Sequence, residues 1–207
     1  DPKKAYINTI EHIDTEVGKL LTTLDDLKLS ENTYVIFTSD NGPWLPFQHH
    51  GGSAGPLRDG KGTTFEGGQR VPFLLRGPNV PAGSVCDEIM STIDMLPTRA
   101  AITGKALPAD KKIDGLDVTS LWNGTAKKSP RNEFLYYTAN GAIDGIRIDQ
   151  WKLLTNRPNT GGAKNQKNGG PNKKAPKYAL YDLTKDIGEK TDLSKAQPEV
   201  VERLRAR

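Results

Sequence analysis

Residues 33–42 read Thr-Tyr-Val-Ile-Phe-Thr-Ser-Asp-Asn-Gly, an apolar run that stops abruptly in turn-forming residues. Its β-branched and aromatic residues follow one another without polar alternation, which predicts a strand buried on both faces of a sheet. Residues 2–29 precede it with apolar residues at steps of three and four, which predicts an amphipathic helix. That apolar stripe consists of Tyr6, Ile10, Ile13, Val17, Leu20, Leu24 and Leu27. A helix followed so closely by a buried strand indicates an α/β fold.

The pattern changes character downstream of this unit. Residues 71–76 predict a second short strand, and residues 89–103 predict a helix that stops at Gly104. After residue 113 the chain shows short strand patterns separated by turns, which predicts a small antiparallel sheet followed by a helix from Pro198. The strand patterns lie at residues 134–137, 142–148, 151–155 and 178–183. We therefore place a domain boundary near residue 125, with one domain at 1–125 and a smaller one at 126–207.

The composition limits the class of protein. Hydrophobic residues make up 35% and charged residues 26%, which permits a packed globular core. The sequence contains no run of 18 apolar residues, so no membrane span is predicted. The single cysteine, Cys86, excludes an intrachain disulfide and a cysteine-based metal cluster. The sequence opens at Asp1 without an initiator methionine, and we expect a fragment or a processed product.

The basic charge is concentrated in one segment. Residues 156–177 contain five lysines, one arginine and no acid, whereas the whole chain has a net charge of only +4. The segment is rich in Gly, Asn, Pro and Lys, so it cannot bury a core, and we predict a flexible insertion. Two interpretations remain open, a solvated insertion and a contact for a polyanionic substrate. Because the basicity is local, we expect no nucleic-acid partner.

Asp40 and Asn41 are the first candidate site residues. They lie where the predicted strand ends, and ligands of open α/β sheets gather at the carboxyl ends of strands. A carboxylate and an amide oxygen are hard ligands suited to Ca²⁺ or Mg²⁺. Two side chains cannot fill six to eight positions, so further ligands must come from elsewhere. The alternative is that Asp-Asn-Gly forms an ordinary turn.

The glycine-rich stretch 43–68 supplies the other candidates. Lys61 lies between Gly60 and Gly62, which let the backbone approach a ligand closely, and its ammonium could neutralise a phosphate or sulfate oxygen. The stretch is not a Walker motif, because that motif needs Ser or Thr at position 62. His49 and His50 could protonate a leaving oxygen or bind a substrate hydroxyl. For Lys61 too, a simple turn is the alternative.

The order of these segments resembles that of the type I, arylsulfatase-like sulfatases. The resemblance rests on Thr-Ser-Asp-Asn-Gly at 38–42, on His-Gly-Gly-Ser-Ala-Gly-Pro-Leu-Arg-Asp-Gly-Lys-Gly-Thr-Thr-Phe-Glu-Gly-Gly at 50–68, and on Arg-Val-Pro at 70–72. It extends over nearly the whole chain except the basic insertion. The further similar segments are 14–18, 91–98, 113–115, 151–153 and 181–193.

The resemblance implies a fold and an activity. The fold would be part of an alkaline-phosphatase-like mixed-sheet sandwich, to which residues 1–125 belong, plus a small C-terminal antiparallel sheet with a helix. The activity would be hydrolysis of an organic sulfate ester, and the substrate would be a sulfated small molecule or a sulfated glycan. The location would be periplasmic, secreted or lysosomal. A phosphoesterase or phosphonate hydrolase of the alkaline phosphatase superfamily, and a non-catalytic polyanion-binding module, are the alternatives.

The resemblance also implies roles for individual residues. Asp40 and Asn41 would be two ligands of an active-site Ca²⁺, and Lys61 would contact the sulfate. His50 would assist the leaving alcohol or bind it. Arg58 would reach the substrate or, with Glu66, hold the loop through salt bridges. In addition, Trp44 could stack on a substrate ring.

Half of the family's active site finds no counterpart here. The family nucleophile is a formylglycine made from Cys or Ser in a C/S-x-P/A-x-R motif, but Cys86 is followed by Asp-Glu-Ile-Met, without the arginine. The paired aspartates that complete the metal site are also missing, since Asp25 and Asp26 lie at the end of a predicted helix. We expect the N-terminal part of the same enzyme to supply these groups, and we expect the isolated chain to be inactive.

Overall fold

The computed structural model describes residues 1–155 and 177–207. In chain order, the first elements are helix α1 (Pro2–Asp26), strand β1 (Val35–Thr38), the short helix α2 (Glu66–Gln69) and strand β2 (Phe73–Arg76). They are followed by helices α3 (Met95–Ile102) and α4 (Thr119–Trp122). Strands β3 (Glu133–Tyr137), β4 (Ile143–Ile148), β5 (Trp151–Thr155) and β6 (Tyr178–Asp182) come next, and helix α5 (Pro198–Arg205) is the last element. Apart from Lys177, the predicted basic insertion lies outside the described residues.

The chain divides into two compact units. One comprises residues 1–20, 38–73 and 134–207, and the other comprises residues 21–37 and 74–133. The two units therefore interleave along the sequence. The predicted domain division at residue 125 concerns the complete enzyme, and it stays a prediction.

The first unit is built on the C-terminal sheet, whose strand order is β3-β4-β5-β6. The β4–β5 and β5–β6 pairs are antiparallel, as the sequence predicted for this sheet. Because side chains alternate between faces, β5 and β6 each contribute to two apolar clusters, one on either face of the sheet. One face packs Leu153 and Leu180 against Val201 and Leu204 of α5. The other face packs around Phe65, which comes from the glycine-rich loop.

The second unit has a smaller core around α4. Val118, Leu121 and Trp122 are buried there, and partly buried side chains from β1 and β2 pack against them. Asp94 organises the polar side of this core, because its carboxylate forms an ion pair with Arg131 and accepts the backbone N–H of Leu116 at 2.8 Å. The predicted helix 89–103 is shorter than expected and starts at Met95, after a tight turn over Thr92–Asp94.

One prediction of burial is wrong for this chain. The strand expected to be buried on both faces, β1, has two half-buried and two exposed residues, and Phe37 is 45% exposed. Among the described residues, α1 buries none of its side chains, although its apolar stripe forms as predicted. The physical reason is that apolar periodicity identifies a face that needs covering, whereas burial requires a second surface to cover it.

The described helices also bear on membrane association. None of them joins sufficient length to sufficient hydropathy for a membrane crossing.

Candidate active site

Asp40 and Asn41 follow β1 after one intervening residue, Ser39, and their backbone is fixed by neighbouring groups. The Thr38 hydroxyl donates a hydrogen bond to the Pro72 carbonyl at 2.9 Å, and the Ser39 hydroxyl donates to the Asn41 carbonyl at 2.8 Å. The Gly42 N–H donates to the Gly68 carbonyl at 3.2 Å. A side chain at position 42 would come within 1.8 Å of the Gly67 carbonyl oxygen, so only glycine permits this contact.

Lys61 is tied to the same stretch of backbone. Its N–H donates to the Pro43 carbonyl at 2.9 Å, two residues beyond Asn41. The preceding residue, Gly60, approaches the same carbonyl so closely that an added Cβ would lie 2.4 Å from its oxygen. The structure therefore brings the peptide of Lys61 next to the segment that carries the predicted metal ligands.

The side-chain oxygen atoms of the predicted metal ligands are free of contacts from the described residues. Within the described residues, neither the Asp40 carboxylate nor the Asn41 amide takes part in a hydrogen bond or ion pair. Asp40 is exposed and Asn41 is half-buried. This donor set fits a hard cation such as Ca²⁺, but it supplies only two ligands. In residues 1–155 and 177–207, no three His, Cys, Asp or Glu side chains gather as a metal site, so further ligands would have to come from elsewhere.

The Lys61 ammonium lacks a carboxylate partner in the part of the chain that the structure describes. The side chain is exposed, and Nζ lies 5.7 Å from the centroid of the Trp44 ring. A lysine positioned over an aromatic face keeps its positive charge available to an incoming anion. It is therefore suited to the predicted sulfate contact, which stays a prediction.

His50 lies in the same loop as part of an aromatic cluster. Its ring stacks on Phe47 with 5.3 Å between centroids and an angle of 22° between the planes. Both residues belong to a tight helical turn, Leu45–His50, that is kinked at Gln48, whose φ of 53° is in the left-handed region. His49 is exposed at the end of the same turn. The glycine-rich stretch 43–68 therefore contains this turn and the start of the short helix α2.

Arg58 is engaged in holding the loop on the C-terminal sheet. Its Nη1 donates to the Glu189 carbonyl at 2.7 Å and to the Tyr181 hydroxyl at 3.4 Å. The guanidinium also lies 3.8 Å from the centroid of the Phe65 ring. These contacts favour the loop-holding alternative for Arg58. The substrate contact that was also considered stays a prediction.

A buried ion-pair network escaped the sequence analysis. Lys152 of β5 is completely buried, and its Nζ lies 2.9 Å from Glu66 Oε1 and 2.8 Å from Glu189 Oε1. The other Glu189 oxygen accepts the backbone N–H of Glu66 at 2.7 Å, and the Tyr136 hydroxyl donates to Glu66 Oε1 at 2.7 Å. Arg147 is 3.6 Å from Glu66 Oε2. The first residue of α2 is thus bound to three strands of the sheet.

The network shifts the pKa of each acidic group in it. Burial raises the pKa of the Glu66 carboxyl, but attraction to Lys152 and hydrogen bonds from Lys152 and Tyr136 outweigh it, so the net pKa is below its ordinary value. Burial also raises the pKa of Glu189, and there Lys152 offsets only part of the effect. Burial and the neighbouring Glu66 carboxylate raise the pKa of Tyr136 well above its usual range. Lys152 therefore compensates two buried carboxyls unequally.

A second anchor lies two residues before Glu66. The Thr64 hydroxyl donates to Asp144 Oδ2 at 2.6 Å, and both residues are buried. Together with the Glu66 network, this bond fixes the loop five residues or fewer after Lys61. One feature of the sequence indicates the Lys152 network, namely the lysine within the apolar strand Trp-Lys-Leu-Leu-Thr. A lysine buried in such a strand needs a buried acid as its partner.

Cys86 and Asp25, which do not match the family motifs for the nucleophile and the paired aspartates, both belong to the second unit. Cys86 is an exposed free thiol in the second unit. Asp25 is the second-last residue of α1 and pairs with Arg76 at 2.6 Å, which agrees with its predicted place at a helix end.

Comparison with known proteins gives this arrangement a family. A family model described as Sulfatase matches residues 2–105. Arylsulfatase A of Homo sapiens is 37% identical over 96% of this chain and 41% of its own length. N-acetylgalactosamine-6-sulfatase of Canis lupus familiaris is 39% identical over 71% of this chain and 28% of its own length. The chain therefore spans well under half of the length of these relatives.

A solved structure agrees on the fold. The structure of Ps i-CgsB in complex with k-i-k-neocarrahexaose superposes with a TM-score of 0.77 at 30% identity, over 99% of this chain and 42% of that one. The α/β elements with a C-terminal antiparallel sheet are thus part of the alkaline-phosphatase-like sulfatase fold, as the resemblance implied. The matched segment contains the Asp40–Asn41 pair and the Lys61 loop, and on these grounds the chain belongs to the sulfatase family.

Proposed function

We propose that residues 38–68 supply one half of the active site of an enzyme that hydrolyses organic sulfate esters. The observation that carries this proposal is the hydrogen bond from the Lys61 N–H to the Pro43 carbonyl. It joins Lys61, whose ammonium has no carboxylate partner among the described residues, to the segment that carries Asp40 and Asn41, whose side-chain oxygens accept no hydrogen bond from those residues. A cation site and an anion-binding ammonium on one backbone segment could both contact the same sulfate group. This arrangement suits the transfer of that group.

In this proposal Asp40 and Asn41 hold the active-site Ca²⁺. When bound, that ion supplies positive charge beside the sulfate oxygens, and the formylglycine of the family supplies the nucleophile. The remaining metal ligands and the nucleophile come from the N-terminal part of the same enzyme. The exposed apolar stripe of α1 supports such a partner, since about 25 cal/mol per Å² is gained when apolar surface is covered.

The residues of this chain act on both sides of the breaking S–O bond. Lys61 donates a charged hydrogen bond to a sulfate oxygen and offsets the charge that builds up there. His50 donates a proton or a hydrogen bond to the oxygen of the leaving alcohol. Gly60 and Gly62 let the sulfate approach the backbone beside Lys61.

The relatives support a ring-bearing substrate. One is called an arylsulfatase and another an N-acetylgalactosamine-6-sulfatase, and one structure holds a neocarrahexaose. We infer that the substrate is a sulfated small molecule or a sulfated glycan. By the same family resemblance, we infer a periplasmic, secreted or lysosomal location for the complete enzyme.

The test compares two lysine variants in the full-length enzyme with 4-nitrophenyl sulfate as substrate. Lys61→Ala should lower kcat/KM about 100-fold or more, the usual effect of removing one transition-state donor. Lys112→Ala, whose side chain is 90% exposed in the second unit, is the matched control and should stay close to the wild type. Equal activities of the two variants would remove Lys61 from the site.

Two further arms of this test address the activity itself. The isolated 207-residue chain should show no turnover, because it lacks the nucleophile motif. Faster hydrolysis of 4-nitrophenyl phosphate than of 4-nitrophenyl sulfate by the full-length enzyme would favour the phosphoesterase alternative.

A further inference from the structure

We propose that Glu189, in the segment that follows β6, is a positioning residue for Lys61. Its main chain and its side chain hold the two ends of residues 58–67, the loop that carries Lys61. This inference rests on the proposed function, because it treats Lys61 as the group that contacts the sulfate. It assigns part of that function to the C-terminal sheet, which then sets where the ammonium lies.

The loop 58–67 is closed at its base. The Gly67 N–H donates to the Arg58 carbonyl at 2.8 Å, so the two ends of the loop lie side by side. A Cβ at position 67 would come within 2.2 Å of the Asp59 carbonyl oxygen, so only glycine permits this close approach. Lys61 lies between these ends, and a shift at the base is therefore expected to move the backbone that carries it.

Glu189 contacts both ends of this loop. Its main-chain carbonyl accepts a hydrogen bond from Arg58 Nη1 at 2.7 Å. Its carboxylate oxygen Oε2 accepts the Glu66 N–H, also at 2.7 Å. The other carboxylate oxygen, Oε1, lies 2.8 Å from Lys152 Nζ on β5. One residue thus connects the two loop ends to each other and to the middle of the C-terminal sheet.

The backbone of Glu189 is strained although its side chain is completely buried. Its φ is 50°, in the left-handed region, and its exposed fraction is 0%. Such a conformation costs about 1–3 kcal/mol in a residue with a Cβ, and it persists only where the surroundings impose it. Asp186 fixes the turn here, since its carboxylate accepts the N–H groups of Lys190 and Thr191, each at 2.7 Å. Strain of this kind is concentrated at functional sites, which favours a role beyond packing.

Hydrogen bonds inside the loop connect α2 to the peptide of Lys61. Nε2 of Gln69, the last residue of α2, donates to the Thr63 carbonyl at 2.9 Å. The Thr63 hydroxyl donates to the Gly60 carbonyl at 2.9 Å. The Lys61 N–H, which belongs to the same peptide group as that carbonyl, donates to Pro43. This peptide group is therefore held from α2 on one side and from the segment after β1 on the other.

The test is a double-mutant cycle in the full-length enzyme, with 4-nitrophenyl sulfate as substrate. The quantity compared is kcat/KM per folded enzyme, and near-ultraviolet circular dichroism gives the folded fraction. Glu189→Gln keeps the side-chain volume, but its single acceptor oxygen cannot serve both Glu66 and Lys152. It should lower kcat/KM about 10-fold to 100-fold, because a misplacement of about 1 Å can cost about 100-fold.

The same substitution in the Lys61→Ala background provides the second half of the cycle. There Glu189→Gln should change kcat/KM by less than about twofold, because the group that it positions is already gone. A role in folding stability alone would not depend on the residue at position 61. The dependence on Lys61 therefore separates positioning from stability.

Asp94→Asn is the matched control. Asp94 is likewise 0% exposed, pairs with an arginine and accepts backbone N–H groups, but it lies in the second unit. Its replacement should lower the melting temperature of the enzyme. It should leave kcat/KM per folded enzyme within about twofold of the wild type, because its contacts do not involve the loop.

Tyr136→Phe covers the case in which Glu189→Gln does not fold. It removes only the hydroxyl that donates to Glu66 Oε1 at 2.7 Å, and it keeps the aromatic ring in the core. Because it loosens the same end of the loop, it should lower kcat/KM about 2-fold to 10-fold when Lys61 is present, as expected for one lost hydrogen bond. In that case, wild-type kcat/KM for Tyr136→Phe would overturn the inference.

Two results for Glu189→Gln would overturn the inference. Equal losses of kcat/KM with and without Lys61 would show that Glu189 does not act through Lys61. Wild-type kcat/KM per folded enzyme would show that the loop does not depend on Glu189. Either result leaves the proposed function standing when Lys61→Ala is itself impaired. If Lys61→Ala is as active as the wild type, the proposed function fails, and this inference fails with it.

Discussion

The C-terminal sheet and helix α1 both present apolar side chains, but the burial of those side chains is opposite. Leu180 in β6 is 0% exposed and Leu154 in β5 is 2% exposed. In α1, by contrast, Leu20 is 52% exposed, and no residue of that helix is buried among the described residues. The sheet carries the surfaces that cover it, namely α5 on one face and Phe65 on the other. The apolar stripe of the helix is left exposed.

The difference shows which part of the chain contributes most to its folding stability. Apolar burial and the Lys152 network are concentrated where the glycine-rich loop meets the sheet. Within residues 1–155 and 177–207, the side chains of Asp40, Asn41 and Lys61 form no ion pair, which leaves them available to a cation and an anion. Rigid anchoring beside exposed functional groups is how a scaffold keeps an active site ordered without filling it.

The largest expected effect on this comparison comes from Lys152→Met. It leaves the Glu66 and Glu189 carboxyls buried without their cation, which typically costs about 3–5 kcal/mol. Urea unfolding of the 207-residue chain, followed by the fluorescence of the adjacent Trp151, measures the loss. Lys185→Met is the control, since Lys185 is 84% exposed, and it should cost less than about 0.5 kcal/mol. Equal costs for the two variants would contradict the role of the network.

A slightly smaller effect is expected from one matched pair of leucines. Leu180→Ala should lower the free energy of unfolding by about 2–5 kcal/mol, because it leaves a cavity in a closed core. Leu20→Ala removes the same atoms from a site that is already half open, and it should cost less than about 1 kcal/mol. Urea unfolding of both variants measures the difference. If Leu20→Ala costs as much as Leu180→Ala, the stripe of α1 is covered in the chain itself.

The smallest expected effect is on stability at acidic pH, and it concerns Asp94 in the second unit. Burial would raise the pKa of the Asp94 carboxyl, but hydrogen bonds from Arg131 and from two backbone N–H groups lower it below the ordinary 3.8. A lowered carboxyl pKa stabilises the fold above pH 3.8, and this contribution is lost as the pH falls through the native pKa. Melting temperatures of the wild type and Asp94→Asn between pH 6 and pH 2.5 should therefore converge on acidification. Parallel plots of melting temperature against pH for the two proteins would contradict the stabilising contribution of the Asp94 carboxylate.

The sequence predicted the elements well where local pattern decides them. β5 was predicted residue for residue at Trp151–Thr155, and β3, β4 and β6 differ by one residue at an end. α1 began at Pro2 as expected but ended at Asp26 rather than near residue 29. Strand alternation and helical spacing are local properties, so short windows of sequence carry them.

What the sequence did not predict depends on partners far along the chain. Lys152 and Glu66 are 86 residues apart, and no local pattern announces their ion pair. The burial of β1 was wrong because a strand pattern does not state how many surfaces cover it. The candidate ligands Asp40 and Asn41 were each compatible with a simple turn, and only the family order of motifs favoured a metal site.

Calcium binding tests the central claim most directly, because Asp40 and Asn41 are proposed to hold the cation of the site that Lys61 serves. The measurement is the calcium content per chain of the full-length enzyme after equilibrium dialysis, for the wild type, Asp40→Ala and Asp59→Ala. Asp59 is an aspartate of the same loop whose carboxylate accepts the Gly60 N–H at 3.0 Å, and it serves as the control. The account predicts a tightly held calcium in the wild type and in Asp59→Ala, and its loss in Asp40→Ala. Full calcium content in Asp40→Ala would contradict the account.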